Sequence, residues 1–233
     1  MTGTKSSFMR ATHHGAASLE NLADRAFDVV IGDLGSARET HDVAGKVNAI
    51  GRMDVVIHNA GVYIDPERVA TPEGHARTLA VNVLAPYVLT AEIERPARLI
   101  YISSGMHRGG DASLRDIDWT TRQWNGMQAY SDSKLFVAAL AFAVPRRWPN
   151  VLSNVVDPGW VPTRMGGPNA PDDLELGHTT QVWLAVSDER DATGSGGYWY
   201  HRGRQAPSPT VSDVGFQDAL LEQLSRLTAL RLP

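Results

Sequence analysis

Four short apolar runs constrain this chain more than any other feature: residues 27–31 (FDVVI), 53–58 (MDVVIH), 98–103 (RLIYIS) and 152–156 (LSNVV). A strand with one wet face alternates apolar and polar side chains, whereas an unalternated run is buried on both faces. Helical stretches at Ala37–Ile50, 74–92 and 129–144 separate the runs. Parallel strands need such crossovers, and each crossover lays a helix on a face of the sheet. The expected fold is α/β: a doubly wound parallel sheet in a three-layer α/β/α sandwich. A helix at 172–187, a short strand at 197–200 (GYWY) and an amphipathic helix at 212–227 extend the pattern. Residues 105–128 are polar and Trp-containing, and no repeat or low-complexity tract interrupts the chain. A length of 233 residues supplies one sizeable core, so a single domain over 1–233 is expected.

Composition removes several functions. A net charge of −4 argues against an electrostatic nucleic-acid binder. The longest apolar run, 135–144 (LFVAALAFAV), is about half of what a bilayer requires, and no secretory leader is visible. Cysteine is absent, which excludes disulfides, thiolate nucleophiles and Cys-ligated zinc and fits a reducing, cytoplasmic setting. His13-His14 lacks a third ligand nearby, so no metal is expected. No G-x-S-x-G occurs, so the serines are not a hydrolase elbow.

In open parallel sheets the ligand crevice lies beyond the carboxyl ends of the strands. The runs here end in Asp33, Asn59, Ser103-Ser104 and Pro158-Gly159. Between the third and fourth runs stands YSDSK, with Tyr130 and Lys134 four residues apart on one helix face. A free phenol, with a pKa of about 10, is a poor base at neutral pH; a neighbouring ammonium favours the phenolate. The pair is a candidate general acid/base. Alone, the same spacing also fits an exposed Tyr and Lys on a surface helix.

Taken in order, HNAG ending at Gly61, VNV around Asn82, the serine pair, YSDSK and Pro158-Gly159 resemble the short-chain dehydrogenase/reductase family over residues 27–200. Residues 103–167 resemble its retinol-dehydrogenase-like branch, where the stretch between Ser and Tyr is longer than usual. The resemblance implies a Rossmann-like sheet and an NAD(P)-dependent oxidoreductase that interconverts a carbonyl and an alcohol. It implies that Tyr130 exchanges the proton with the substrate oxygen and that Ser104 holds that oxygen, with Ser103 supporting the strand end. Lys134 would lower the Tyr130 pKa and bind the nicotinamide ribose, and Asn82 would fix a water that relays protons towards Lys134. Asp33 and Leu34 would flank the adenine. Asn59, Ala60 and Gly61 would pass along the dinucleotide, while Pro158, Gly159, Val161 and Thr163 would meet the nicotinamide and phosphates. His107 and Trp160 are candidates for the substrate pocket. Trp119, Trp124, Met127 and Met165 hint at an apolar substrate, although core packing explains them equally. The implied partner is a small carbonyl or alcohol. The helices around Asn82 and 135–144 suggest a homodimer or tetramer.

The amino end departs from the family pattern. Residues 2–12 follow T-G-x-x-x-G-x-G in outline, but Ser7 and Met9 stand at the second and third glycines, and a bulky Met9 would obstruct pyrophosphate. Residues 16–26 resemble the helix leading into the family's third strand. The usual first strand, helix and second strand are therefore expected to be missing, with 1–26 a degenerate remnant. Either 27–31 moves in beside 55–57, or the chain is a truncated or mis-spliced product that folds poorly, or another chain covers the exposed edge. The residue that selects NAD or NADP lies at the end of the missing strand, so the expected cofactor is NAD(P)(H) without a choice. The alternative function is a catalytically silent paralogue or binding protein with an impaired dinucleotide grip.

Overall fold

A computed structural model of the chain describes the backbone of residues 7–10 and the whole of residues 28–232. Strands β1 (Ser7–Arg10) and β2 (Asp28–Ile31) form a parallel pair in register Ser7 to Asp28. Helix α1 (Ala37–Ile50) follows, capped by the Ser36 hydroxyl, which accepts from the Glu39 amide at 3.4 Å. Strand β3 (Val55–His58) leads to α2 (Arg77–Leu79), a π-helical turn (Ala80–Leu84) and α3 (Ala85–Glu92). Strand β4 (Arg98–Ile102) ends in a 3₁₀ turn (Gly105–Gly109). Helix α4 (Gly126–Arg147), strand β5 (Leu152–Asp157) and helix α5 (Leu176–Val186) come next. The chain closes with β6 (Gly197–Tyr200), β7 (Gly203–Gln205), α6 (Pro209–Ser212) and α7 (Val214–Thr228).

Strands β3 to β7 form one five-stranded sheet in sequence order. Pairs β3–β4, β4–β5 and β5–β6 are parallel, and only β7 is antiparallel. Helices link each parallel pair and cover the sheet, as parallel pairing requires. Helix α4 is the centre of the core. Its apolar run, Leu135 through Ala141 with Ala143 and Val144, is almost fully buried against β5 and α7. The apolar face expected to meet a second copy around 135–144 is thus covered by the chain itself. Among the described residues, no helix is long and apolar enough to cross a membrane.

The amino end corrects the expectation drawn from its glycine spacing. Ser7 and Met9 lie in a strand, not in a phosphate-binding turn. A strand therefore precedes Asp28–Ile31 and pairs with it. The rest of residues 2–12, the stretch 16–26 and His13-His14 lie outside the described residues. Strand β2 does not move in beside β3; the two belong to separate sheets. Parallel pairing holds β2 to β1, and Ile31 is left 61% exposed and Ile57 37% exposed.

Candidate active site

The site forms where β3, β4 and β5 end, and each strand hands its last residues to a hydrogen-bonded turn. After β3 the chain runs through Asn59, Ala60 and Gly61 to Val62. The amide of Asn82 pairs with Val62 in both directions: Oδ1 accepts from the Val62 amide at 2.8 Å, and Nδ2 donates to its carbonyl at 3.1 Å. Asn82 sits in the π-helical turn, whose extra residue re-aims a side chain that a regular helix would direct elsewhere. Its second Nδ2 proton goes to Ser133 Oγ at 2.9 Å, and Ser133 Oγ donates to the Tyr130 carbonyl at 2.7 Å. Asn82 thereby ties the β3 loop to the helix carrying Tyr130 and Lys134. Gly61 lies beside Asn82 and Lys134: a Cβ there would stand in ordinary contact, 3.4 Å from Asn82 Oδ1 and 3.6 Å from Lys134 Nζ.

Tyr130 and Lys134 lie on the buried face of α4, each only 5% exposed, so the surface-helix reading of their spacing does not hold. Ser104, the N-cap of the 3₁₀ turn, lies at the phenol end of Tyr130, where its side chain pulls the phenol pKa down. Ser103 faces the other way and donates to the Lys134 carbonyl at 2.9 Å, fastening the strand end to α4. Lys134 Nζ donates to the Ile102 carbonyl at 3.0 Å. Ser104, Tyr130, Lys134, Asn82 and Gly61 are thus brought together.

The electrostatics differ from the expected Lys-activated phenolate. Burial pushes Tyr130 up to about 12; the Ser104 hydrogen bond pulls the other way, while Tyr63 and Asp157 add to the rise. Burial also brings Lys134 down to about 8, partly countered by the negative charge of Asp157. Desolvation disfavours whichever form is charged, so it separates the pair into a neutral phenol and a readily deprotonated ammonium.

The remaining candidates are distributed more widely. Asp33 shapes the turn into α1, its Oδ1 accepting from the Gly35 amide at 2.8 Å. The Leu34 side chain is part of the core. Gly159 has φ +82°, and a Cβ there would come within 2.5 Å of Asp172 Oδ2. Asp172 in turn accepts from the Trp160 amide at 2.6 Å, and Trp160 Nε1 donates to the Gly166 carbonyl at 2.8 Å. These bonds hold the Trp160 ring out, 57% exposed. Pro158 is half-buried at the strand end, Val161 packs against Gly177 at the start of α5, and Thr163 is exposed. His107 corrects its assignment to the substrate pocket: its ring is fully buried, with both nitrogens bonded within the protein. Trp119 is buried and Trp124 partly so, stacked edge to face at 5.4 Å, so both serve packing.

Three residues escaped the sequence reading. Tyr63, partly exposed, sets its ring edge-on to Tyr130 with centroids 4.8 Å apart. Asp157 ends β5 and accepts from the Tyr198 hydroxyl at 3.3 Å. Asp132, buried between Tyr130 and Lys134 in sequence, accepts from the Asp111 amide, Gln128 Nε2 and Arg122 Nη2, each at 2.8 Å, and so anchors the 105–128 segment to α4. For Asp157 a signal was present: it stands at a strand's carboxyl end.

Comparison with known proteins agrees with this arrangement. Residues 6–173 match the family model described as short chain dehydrogenase. The short-chain dehydrogenase chry4 of Gibberella zeae is 37% identical over 212 residues, covering 89% of this chain and 81% of that protein. Human retinol dehydrogenase 13 is 29% identical over 231 residues, covering 86% and 68%. A crystal structure of an uncharacterized protein from Mycobacterium paratuberculosis superposes with a TM-score of 0.81 at 21% identity, covering 98% of this chain and 85% of the other, a likeness of fold.

Proposed function

The chain belongs to the short-chain dehydrogenase family and is an oxidoreductase of carbonyl or alcohol groups, and from that premise we propose that it reduces a small carbonyl compound, with Tyr130 as the proton donor. The observation that carries this reading is Tyr130 buried on the same helix face as Lys134, with the Ser104 side chain acting on its phenol.

A phenol held near 12 is protonated at neutral pH, which suits it to give a proton rather than take one. As negative charge grows on the carbonyl oxygen, Tyr130 and Ser104 offer two preorganised donors in a site with little water. Lys134 keeps a positive charge beneath them below about pH 8. Gly61, without a side chain, lies beside Asn82 and Lys134 Nζ, and in this reading a water there relays protons to Nζ.

The residues at the strand ends fit the nicotinamide end of a dinucleotide. Gly61 admits close backbone approach, the Asn59 side chain is exposed, and the Gly159 turn and Thr163 present main-chain and hydroxyl groups. When bound, the nicotinamide supplies the hydride in reduction and accepts it in oxidation. Asn59, Ala60, Gly61, Pro158, Gly159, Val161 and Thr163 would hold it, with Asp33 towards the adenine.

A second reading is favoured by one observation: Ser7 and Met9 are strand, so the place where glycines would hold pyrophosphate is altered. That reading is a catalytically silent binding protein with a weakened dinucleotide grip. Titration of NADH and NADPH by fluorescence separates the two, and tight binding removes the second. The mechanism is tested by Tyr130→Phe on a panel of aldehydes and ketones. A loss of kcat on the order of 10²–10⁴-fold is expected; unchanged turnover overturns the assignment of the proton donor.

A further inference from the structure

Ser104 has a second side that proton transfer leaves unused. Its carbonyl oxygen accepts from His107 Nδ1 at 2.7 Å and from the His107 amide at 3.0 Å. The other ring nitrogen, Nε2, lies 3.0 Å from the Ser208 amide. An amide can only donate, so Nε2 is the acceptor and the ring proton sits on Nδ1, where the Ser104 carbonyl receives it. The Tyr198 ring lies against the imidazole at a centroid distance of 4.7 Å, with its hydroxyl 3.1 Å from Nδ1. That hydroxyl donates to Asp157 Oδ2 at 3.3 Å, which leaves its oxygen free to share the Nδ1 proton. One ring thus joins the end of β4, strand β6 and the segment before α6. Burial holds the imidazole pKa below its ordinary value, so the ring stays neutral.

The Ser104 hydroxyl needs this support. Its own cap bond to the Met106 amide is long, 3.3 Å, and the 3₁₀ turn it starts spans only five residues. A turn that short has few internal bonds with which to fix its first residue. We propose that His107, clamped by Tyr198 and the Ser208 amide, is a positioning residue that holds the Ser104 turn so that its hydroxyl stands on Tyr130. The proposal rests on Ser104 and Tyr130 being the donors of carbonyl reduction. A histidine that merely filled the core would act on stability and leave turnover alone.

The test uses the full chain with 4-nitrobenzaldehyde and NADPH or NADH, and the variants His107→Leu, His107→Asn and Tyr198→Phe in wild-type and Ser104→Ala backgrounds. Asparagine places an amide N–H near the position of Nδ1. In the wild-type background His107→Leu is expected to lower kcat about tenfold through lost alignment, with dinucleotide Kd unchanged, and His107→Asn to restore most of the rate. In the Ser104→Ala background the same change is expected to cost little, because the two residues act as a unit. Equal losses in both backgrounds, or a lower Tm with kcat unchanged, overturn the proposal. If His107→Leu does not fold, Tyr198→Phe carries the same kinetic comparison, and ¹⁵N NMR of the wild type reads the tautomer directly. A ring protonated on Nε2 overturns the proposal, and one protonated on Nδ1 supports it. A wild type that binds dinucleotide but reduces no carbonyl overturns the functional reading itself and is recognised before any variant is made.

Discussion

The two sheets of this molecule are held in different ways. In the sheet from β3 to β7, the middle strands are packed on both faces: Ile100, Val155 and Val156 are essentially inaccessible, and α4 seals one side with Leu135, Phe136 and Leu140. The pair β1–β2 has four residues per strand and leaves Ile31 largely in water. The catalytic candidates Ser104, Tyr130 and Lys134 belong to the first sheet and its helices, whereas Asp33 belongs to the second. The proposed proton donors therefore sit on the firmly packed part of the fold, and Asp33, proposed to lie towards the adenine, sits on the less covered part. A chain can lose packing at β1–β2 and still keep its donors aligned; the reverse does not follow.

The most severe way to disturb that contrast is within α4. Leu140 is fully buried at its centre, and Leu140→Ala is expected to cost about 2–5 kcal/mol, from lost transfer energy and the cavity left behind. Urea denaturation measures it. A cost under 1 kcal/mol would show that the helix is less tightly packed than its burial indicates.

A smaller effect sharpens the contrast at the site. Lys134 near 8 is protonated at neutral pH and loses its charge as the pH rises. Carbonyl reduction is accordingly expected to decline above about pH 8, by up to tenfold per unit for loss of a single proton. A kcat profile flat from pH 7 to 10 would mean that the ammonium takes no part. Asp157 opposes the burial of Lys134, so Asp157→Asn is expected to move the decline to lower pH.

Much of this was legible beforehand because it is periodic or local. Unalternated runs located β3, β4 and β5 within two residues of their ends, and the spacing of Tyr130 and Lys134 put both on one face. What stayed hidden depends on long-range contacts. Nothing local to SSGMH shows that His107 turns inward, because its partners Tyr198 and Ser208 come from another part of the chain. Leu34 is placed by resemblance beside the adenine, and only the fold shows that its side chain joins the core. Ser7 and Met9 matched a glycine motif only in outline, while strand pairing with Asp28–Ile31 decided their conformation. Spacing alone reports a neighbour's charge and not the burial that pushes the Tyr130 pKa up.

Between core and edge lie the loops flanking the site, where a milder pH effect is expected. His75 Nδ1 meets Asp118 Oδ2 at 2.6 Å, and Asp118 Oδ1 also accepts from the Ala76 amide at 2.6 Å. The hydrogen bond to Asp118 raises the His75 pKa, against a smaller opposing effect of burial. A raised folded value means the protonated ring stabilises the fold fully below about 6.5, its unfolded value, and that this contribution is lost as pH climbs through the folded value. Tm is expected to fall over that window, and His75→Gln to flatten the fall. A Tm that rises there would reverse the sign of the interaction.

The smallest expected effect bears most directly on the difference between the two sheets. Ile31 is 61% exposed at the end of β2, so Ile31→Ser should change stability by no more than about 0.5 kcal/mol, as surface substitutions do. A fully covered isoleucine in the same place would cost roughly 1.5–3 kcal/mol on losing its apolar surface. The two values are far enough apart for urea denaturation to separate. A small cost keeps β1–β2 as a lightly packed edge. A large one would mean that Ile31 is covered in solution and that β2 is packed as firmly as the strands beneath the catalytic candidates, in which case the distinction between a rigid proton-transfer half and a loosely held adenine half disappears.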